Sequence, residues 1–335
     1  MNTKPACTAR ELVPFALIAF GLPFLMGVPL GMAQRAGYAT DAFANAQMFY
    51  PAAGAMAALL LTWPKGALPR RFFWFYLAST VLMAGCCLGV LAAPAANWLV
   101  LCSAVIVAAS VIAWVLLLTH KKPVREAAGL RWHGGAGALG YVALFLALRT
   151  ASVFISMALA GQLGGYAAYW MTAAPWVTML MLVPNFFLSF LPFFGEEYGW
   201  RYFLQPRLQS RFGPRGGVLL LGVLWGLWHL PLNLFYYAPD TALQSVASQL
   251  VTCVCFGVFF AWAYMRTNNI WTAVLLHYFN NNMILVYTGA GDAAVISGQT
   301  VGWGDVLVQL ALFGALFLPF LASKTFRETS GKGEL

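Results

Sequence analysis

Charge is what this 335-residue chain has least of: 9% of its positions are charged, while 61% are apolar. A soluble globular domain carries roughly 25% charged residues, because its core needs a hydrated cover. Nineteen Lys and Arg with ten Asp and Glu therefore exclude an ordinary soluble enzyme, a disordered chain and a nucleic-acid binder, and the net charge of +9 needs a cause other than phosphate binding. Cysteine is also sparse. Cys7, Cys86, Cys87, Cys102, Cys253 and Cys255 fall mostly within apolar stretches and read as small packing residues. Cys253 and Cys255 point to opposite sides of a helix and make a poor metal pair. Repeats of 20 to 50 residues and low-complexity tracts are missing, and the first apolar stretch lacks the cleavage site of a signal peptide.

Long apolar runs are what the chain does have. A helix that crosses the hydrocarbon core needs about 20 mostly apolar residues. The sequence predicts an all-α polytopic transmembrane helix bundle of about ten spans (eight to ten), at 13–33, 46–63, 72–92, 97–119, 138–160, 174–198, 216–236, 246–265, 271–288 and 304–322. Lys and Arg resist translocation, so basic connections should alternate with non-basic ones. They do when Lys4 and Arg10 are cytoplasmic: seventeen of the nineteen basic residues then fall on that side, leaving Arg35 outside and Arg149 within a span. Arg201, Arg207, Arg211 and Arg215 count among the seventeen. The positive charge thus reads as a topology signal, with both termini cytoplasmic.

Two parts follow: helices over 1–133 whose role the sequence does not indicate, and a bundle over 138–322, joined by the polar segment 120–137. The spans of the first part contain almost no ionisable groups. A titratable side chain in a span costs several kcal/mol unless it is paired, and is a functional candidate by default. The second part holds Arg149, Glu196, Glu197, Arg201, His229 and His277, with Asn280, Asn281 and Asn282 beside the last.

In Glu196-Glu197-Tyr198-Gly199-Trp200-Arg201, Glu197 and Arg201 are spaced i,i+4 and can pair on one helix face. Glu196 is turned about 100° away and is free to point into the bundle as a base, unless the helix ends in water there. His229, in Trp225-Gly226-Leu227-Trp228-His229, reads either as a packed core histidine or as a site residue. His277 and Asn281 share one face of another helix, which could equally be an interhelical hydrogen-bond clamp. Convergence of the three clusters on one cavity would satisfy all of them together. One carboxylate, two imidazoles and an amide suffice to hold a divalent metal, or to activate water and stabilise an oxyanion, which favours hydrolysis of an amide bond at the membrane.

Glu-Glu-x-x-x-Arg (196–201), an aromatic-x-x-x-His (225–229) and His-x-x-x-Asn (277–281), in this order on successive apolar helices, resemble the three motifs of the CAAX prenyl protease and bacteriocin-processing (CPBP, abortive-infection) family of intramembrane proteases, related to type II CAAX endopeptidase. The resemblance covers about 174–288. It implies that Glu196 is the general base, that His229 assists it, and that His277 and Asn281 bind water or metal and stabilise the oxyanion. Glu197 and Arg201 would shape and charge-balance the site. Trp225 stands where the family most often has Phe, which adds bulk and an N–H and bears on substrate fit. The resemblance leaves open a zinc-type divalent metal held by Glu196, His229 and His277, or a metal-free glutamate mechanism.

Rival chemistries find less support. His-Glu-x-x-His and Gly-x-Ser-x-Gly do not occur. Gly289-x-Gly291-Asp292 matches an aspartyl-protease motif, but no earlier span offers a partner Asp. Arg149 is expected to pair with Glu196 or Glu197, or to meet a substrate carboxylate. The sequence therefore predicts an intramembrane endopeptidase in a bacterial cytoplasmic membrane, with lipid and a membrane-associated protein or peptide as partners. A non-proteolytic transporter or immunity-type scaffold using the same buried polar groups is the alternative.

Overall fold

The computed structural model describes residues 8–290 and 296–327; Lys4, Cys7, Gly291, Asp292 and Lys332 lie outside the described residues, as does the Lys65 side chain. Every regular element among them is helical. Among the described residues, seven helices are long and apolar enough to cross a membrane: Ala9–Arg35, Arg70–Ala92, Trp98–Thr119, Gly135–Leu159, Leu191–Tyr237, Pro239–Thr267 and Trp303–Ala322. A bent pair, Leu163–Trp170 with Ala174–Ser189 at 59°, adds an eighth.

The differences from ten spans have local causes. The 46–63 stretch breaks into Asp41–Gln47 and Tyr50–Thr62. The latter has 13 residues, about 20 Å of helix, too short for a core of about 30 Å. It is apolar on nearly every side and buried on nearly every side, as an interior helix should be. The 174–198 stretch is cut at Phe190. Pro192, in the first turn of the next helix, has no N–H to give back to the preceding turn. Ile270–Thr288 is a continuous helix, and its His and three Asn residues keep its mean hydropathy below that of a spanning segment. It is instead buried along 270–278 inside the bundle.

Leu191–Tyr237 comprises 47 residues, about 70 Å if straight, more than twice the apolar thickness. It turns back on itself at Gly213, whose φ of +74° and ψ of 165° are outside the helical region. Leg 191–212 therefore packs antiparallel to leg 214–237, and the rings of Trp200 and Trp228 meet at 5.5 Å. This turn brings the second motif to the first.

Helices of the 1–133 part pack directly on both legs. A Cβ at Gly195 would collide with the Met48 carbonyl and the Tyr76 hydroxyl, and one at Gly199 with Pro51; glycine lets Tyr50–Thr62 lie against the site-bearing helix. Phe15 stacks on Phe203 at 4.6 Å, Trp228 Nε1 donates to the Ala19 carbonyl at 2.7 Å, and Gln47 Nε2 donates to the Trp228 carbonyl at 3.0 Å. Glu11 and Arg207, both buried, form an ion pair at 2.7 Å. This pair corrects two sequence expectations. Arg207 is a bundle residue, not a solvated loop anchor, and the first part supplies a buried carboxylate that balances it. Arg201 is likewise fully buried.

Candidate active site

Five helical segments build the site: 191–204, 214–229, Asn233–Tyr237, Ala242–Thr267 and Ile270–Thr288. Over Tyr198–Leu204 the first of them widens into a π-helical stretch, a distortion often found at functional sites. Glu196, Glu197, Arg201, His229 and His277 are 2%, 0%, 0%, 7% and 3% exposed. Burial this complete requires each charge to be matched.

Glu197 is matched twice. Its Oε2 accepts from Arg201 Nε at 2.8 Å, the i,i+4 pair read from the sequence, and its Oε1 accepts from His277 Nδ1 at 2.8 Å. Arg201 also donates from Nη1 to the Gly257 carbonyl at 3.4 Å and lies 5.2 Å and 5.7 Å from the ring centres of Trp225 and Phe260. The glutamate, arginine and histidine thus lock three segments together.

Glu196 is held differently. Both indoles near it donate to its Oε2: Trp225 Nε1 at 2.7 Å and Trp200 Nε1 at 3.3 Å. Its Oε1 faces His277 Nε2 at 3.9 Å, beyond hydrogen-bond range and spaced for one water to bridge. The N–H that distinguishes Trp225 from a phenylalanine therefore orients the carboxylate. Trp200 was not singled out in the sequence, although it stands i,i+4 from Glu196 as Arg201 does from Glu197.

His229 Nδ1 bonds the Trp225 carbonyl at 2.8 Å. A carbonyl only accepts, so Nδ1 carries the proton and Nε2 keeps its lone pair. Trp225 stands between the imidazoles, its ring 6.2 Å from His229 and 5.5 Å from His277. A shell behind His229 completes its support: its carbonyl accepts from Asn233 Nδ2 at 3.0 Å, and Ser245 Oγ donates to Asn233 Oδ1 at 2.6 Å. Cys253 Sγ lies 4.0 Å from His229 Nδ1.

Two sequence candidates stand apart. Asn281, one turn beyond His277, is exposed and accepts from Asn280 Nδ2 at 2.9 Å, and among the described residues no hydrogen bond joins it to a glutamate or a histidine. Arg149 does not pair with Glu196 or Glu197. It sits over Phe256, Tyr287 and Phe313, 5.1 to 5.8 Å from their ring centres, and donates to Ser152 Oγ at 3.1 Å. Tyr287 is ten residues from His277, about 15 Å along the helix, and Glu197 already has Arg201 as its cation.

Glu196 Oε1, His229 Nε2 and His277 Nε2 are the donors that a metal would use. Among the described residues, however, no three His, Cys, Asp or Glu side chains are gathered closely enough to hold one. These side chains do not form a three-ligand metal centre.

Residues 167–283 match the family model of the type II CAAX prenyl endopeptidase Rce1-like proteins, and all three motifs lie inside that range. The CAAX prenyl protease 2 of Methanococcus maripaludis is 28% identical over 142 residues, which cover 40% of this chain and 52% of that protein. The chain thus matches about half the length of this relative. No solved structure matches. The resemblance carried by the motifs and the family match coincide.

Proposed function

We propose that this chain, whose residues 167–283 carry an Rce1-like type II CAAX prenyl endopeptidase domain, is an intramembrane endopeptidase that hydrolyses a peptide bond of a membrane-associated protein or peptide. The observation that carries this reading is the setting of Glu196. One of its oxygens is fixed by two indole N–H groups, and the other faces His277 Nε2 at 3.9 Å, near enough for one water seated beside the pair to touch both. A carboxylate so held is preorganised to take a proton.

In the reaction, a water beside Glu196 Oε1 and His277 Nε2 gives its proton to Glu196 while its oxygen attacks the scissile carbonyl. Glu197 holds the imidazole ring through Nδ1, so only Nε2 faces the reacting atoms, and Arg201 holds Glu197. Collapse of the tetrahedral adduct breaks the C–N bond. Glu196 then returns its proton to the leaving nitrogen, which restores the resting state. His229, with its Nε2 lone pair, assists from the far side of Trp225. Asn281, four residues beyond His277 on the same helix face, is the amide proposed to contact substrate.

We further propose that the chain is a multi-pass protein of a bacterial cytoplasmic membrane, a reading supported by its short-looped, Ala/Gly/Leu/Trp-rich composition. The decisive experiment compares membrane peptides of cells carrying the wild-type chain with those carrying Glu196→Gln. Peptides that accumulate uncut only in the variant, with the purified variant still folded, support the proposal. Unchanged processing in Glu196→Gln, His229→Ala and His277→Ala alike would overturn it and favour the transporter or scaffold reading.

A further inference from the structure

A groove lies on the side of the His277 helix that faces away from the glutamates. It measures about 480 Å³, inside the roughly 300–1,000 Å³ range of small-molecule sites. It is formed between Trp98–Thr119, Ala174–Ser189 and Ile270–Thr288, and the segment after residue 120 closes one end. Its walls are apolar, with Trp114, Phe186, Trp271 and Phe279 prominent, and Arg125 is the one charged residue lining it.

Arg125 is set apart from its neighbours. Segment 121–133 carries four cations and one carboxylate, and that carboxylate, Glu126, faces Lys122 at 4.0 Å and Arg131 at 3.4 Å. Arg125 has no ion-pair partner among the described residues, and its Nε is buried without a hydrogen bond. Trp132, 49% exposed, stands in the same wall, and an indole is well suited to the boundary between headgroup and hydrocarbon. An apolar groove that ends at an unpaired cation, with further cations beside it, fits an amphiphile with a long apolar tail and an anionic head.

We propose that this groove binds an anionic phospholipid, with its acyl chain along Trp114, Phe186 and Phe279 and its phosphate on Arg125. Basic pockets between spanning helices take such headgroups. Trp271, Leu275 and Phe279 follow i,i+4 spacing into the groove, while His277 lies about 200° from Leu275 on the opposite face. The bound lipid is thus the outer wall of the helix whose inner face carries His277.

The test uses the full chain, delipidated and titrated with phosphatidylglycerol or phosphatidylcholine, and counts retained lipid by native mass spectrometry. The wild type should retain phosphatidylglycerol in preference, near one per chain. Arg125→Ala should weaken that retention roughly fivefold, the increment of one basic residue at an anionic membrane surface. Leu139→Trp, which fills the groove and leaves Arg125 in place, should abolish it. Equal retention of the two lipids, or wild-type retention in both variants, would overturn the proposal. So would displacement by a lipidated peptide at a concentration far below that of the phospholipid, which would assign the groove to substrate.

Discussion

Three arginines are enclosed in this bundle; Arg207 is paired with Glu11, and the other two are kept there by different means. Arg201 is bonded to Glu197 at 2.8 Å, which is bonded in turn to His277 at 2.8 Å. Arg149 has ring faces at 5.1 to 5.8 Å and a serine hydroxyl. Ion pairing has direction and fixes side-chain positions to fractions of an ångström; ring faces attract a cation without choosing its orientation. The comparison teaches where geometry is enforced. The paired network surrounds the atoms proposed to react, and the ring-lined cation sits on another helix, Gly135–Leu159, against Tyr287 about three turns beyond His277.

The largest expected effect comes from removing the proton acceptor itself. Glu196→Gln keeps the size of the side chain and its contacts with both indoles, and it should lower turnover by about 10²- to 10⁴-fold, the usual contribution of a general base. Cleavage by the purified variant, with its helical content checked by circular dichroism, is the measurement. Activity within a factor of two of wild type would remove Glu196 from the chemistry and take the contrast between the two arginines with it.

Next comes Arg201→Leu. It leaves Glu197 buried without its cation, a change that costs about 3–5 kcal/mol when one partner of a buried pair is removed. Thermal unfolding in detergent should show it. The double variant Arg201→Leu/Glu197→Leu should recover most of that loss, because the uncompensated charge disappears. It should not recover activity, because His277 then has nothing holding Nδ1.

The same pair shows how far the sequence could be read. The i,i+4 spacing placed Glu197 on Arg201 and placed His277 and Asn281 on one face, because helical periodicity dictates which side chains share a side. Periodicity says nothing of what that side meets. His277 reaches Glu197 through Nδ1 because Leu191–Tyr237 and Ile270–Thr288 are adjacent in space, 80 residues apart in sequence. Trp225 reaches Glu196 only because the chain reverses at Gly213. Hydropathy located most of the apolar helices. It could not see the break at Phe190, where a missing proline N–H matters more than apolarity, or that the short Tyr50–Thr62 helix is interior. The Glu11–Arg207 pair escaped because each residue stands near a basic, cytoplasm-facing stretch when taken alone.

A finer test separates the two indoles on Glu196. Trp225→Phe keeps the aromatic wall and removes a 2.7 Å bond to a carboxylate. Hydrogen bonds to charged groups contribute about 1.5–3 kcal/mol, so turnover should fall roughly 10- to 150-fold. Trp200→Phe removes a 3.3 Å bond and should cost less. Equal losses, or a larger loss at Trp200, would mean that packing matters at these positions and that orientation of Glu196 does not.

The smallest effect is expected at the other arginine. Arg149→Met replaces a guanidinium by an unbranched apolar side chain that can lie along the same rings. The loss is the cation–ring attraction, from about 0.5 kcal/mol up to about 2 kcal/mol where desolvated, together with the bond to Ser152. The gain is relief from holding a charge away from water without a carboxylate. These oppose each other, so thermal stability should move little and cleavage less than twofold, whereas Arg201→Leu loses both. A collapse of folding in Arg149→Met would show that ring faces alone hold a cation as firmly as an ion pair does. A loss of cleavage in a stably folded Arg149→Met, with the Michaelis constant raised and kcat kept, would instead place Arg149 in contact with an anionic part of the substrate.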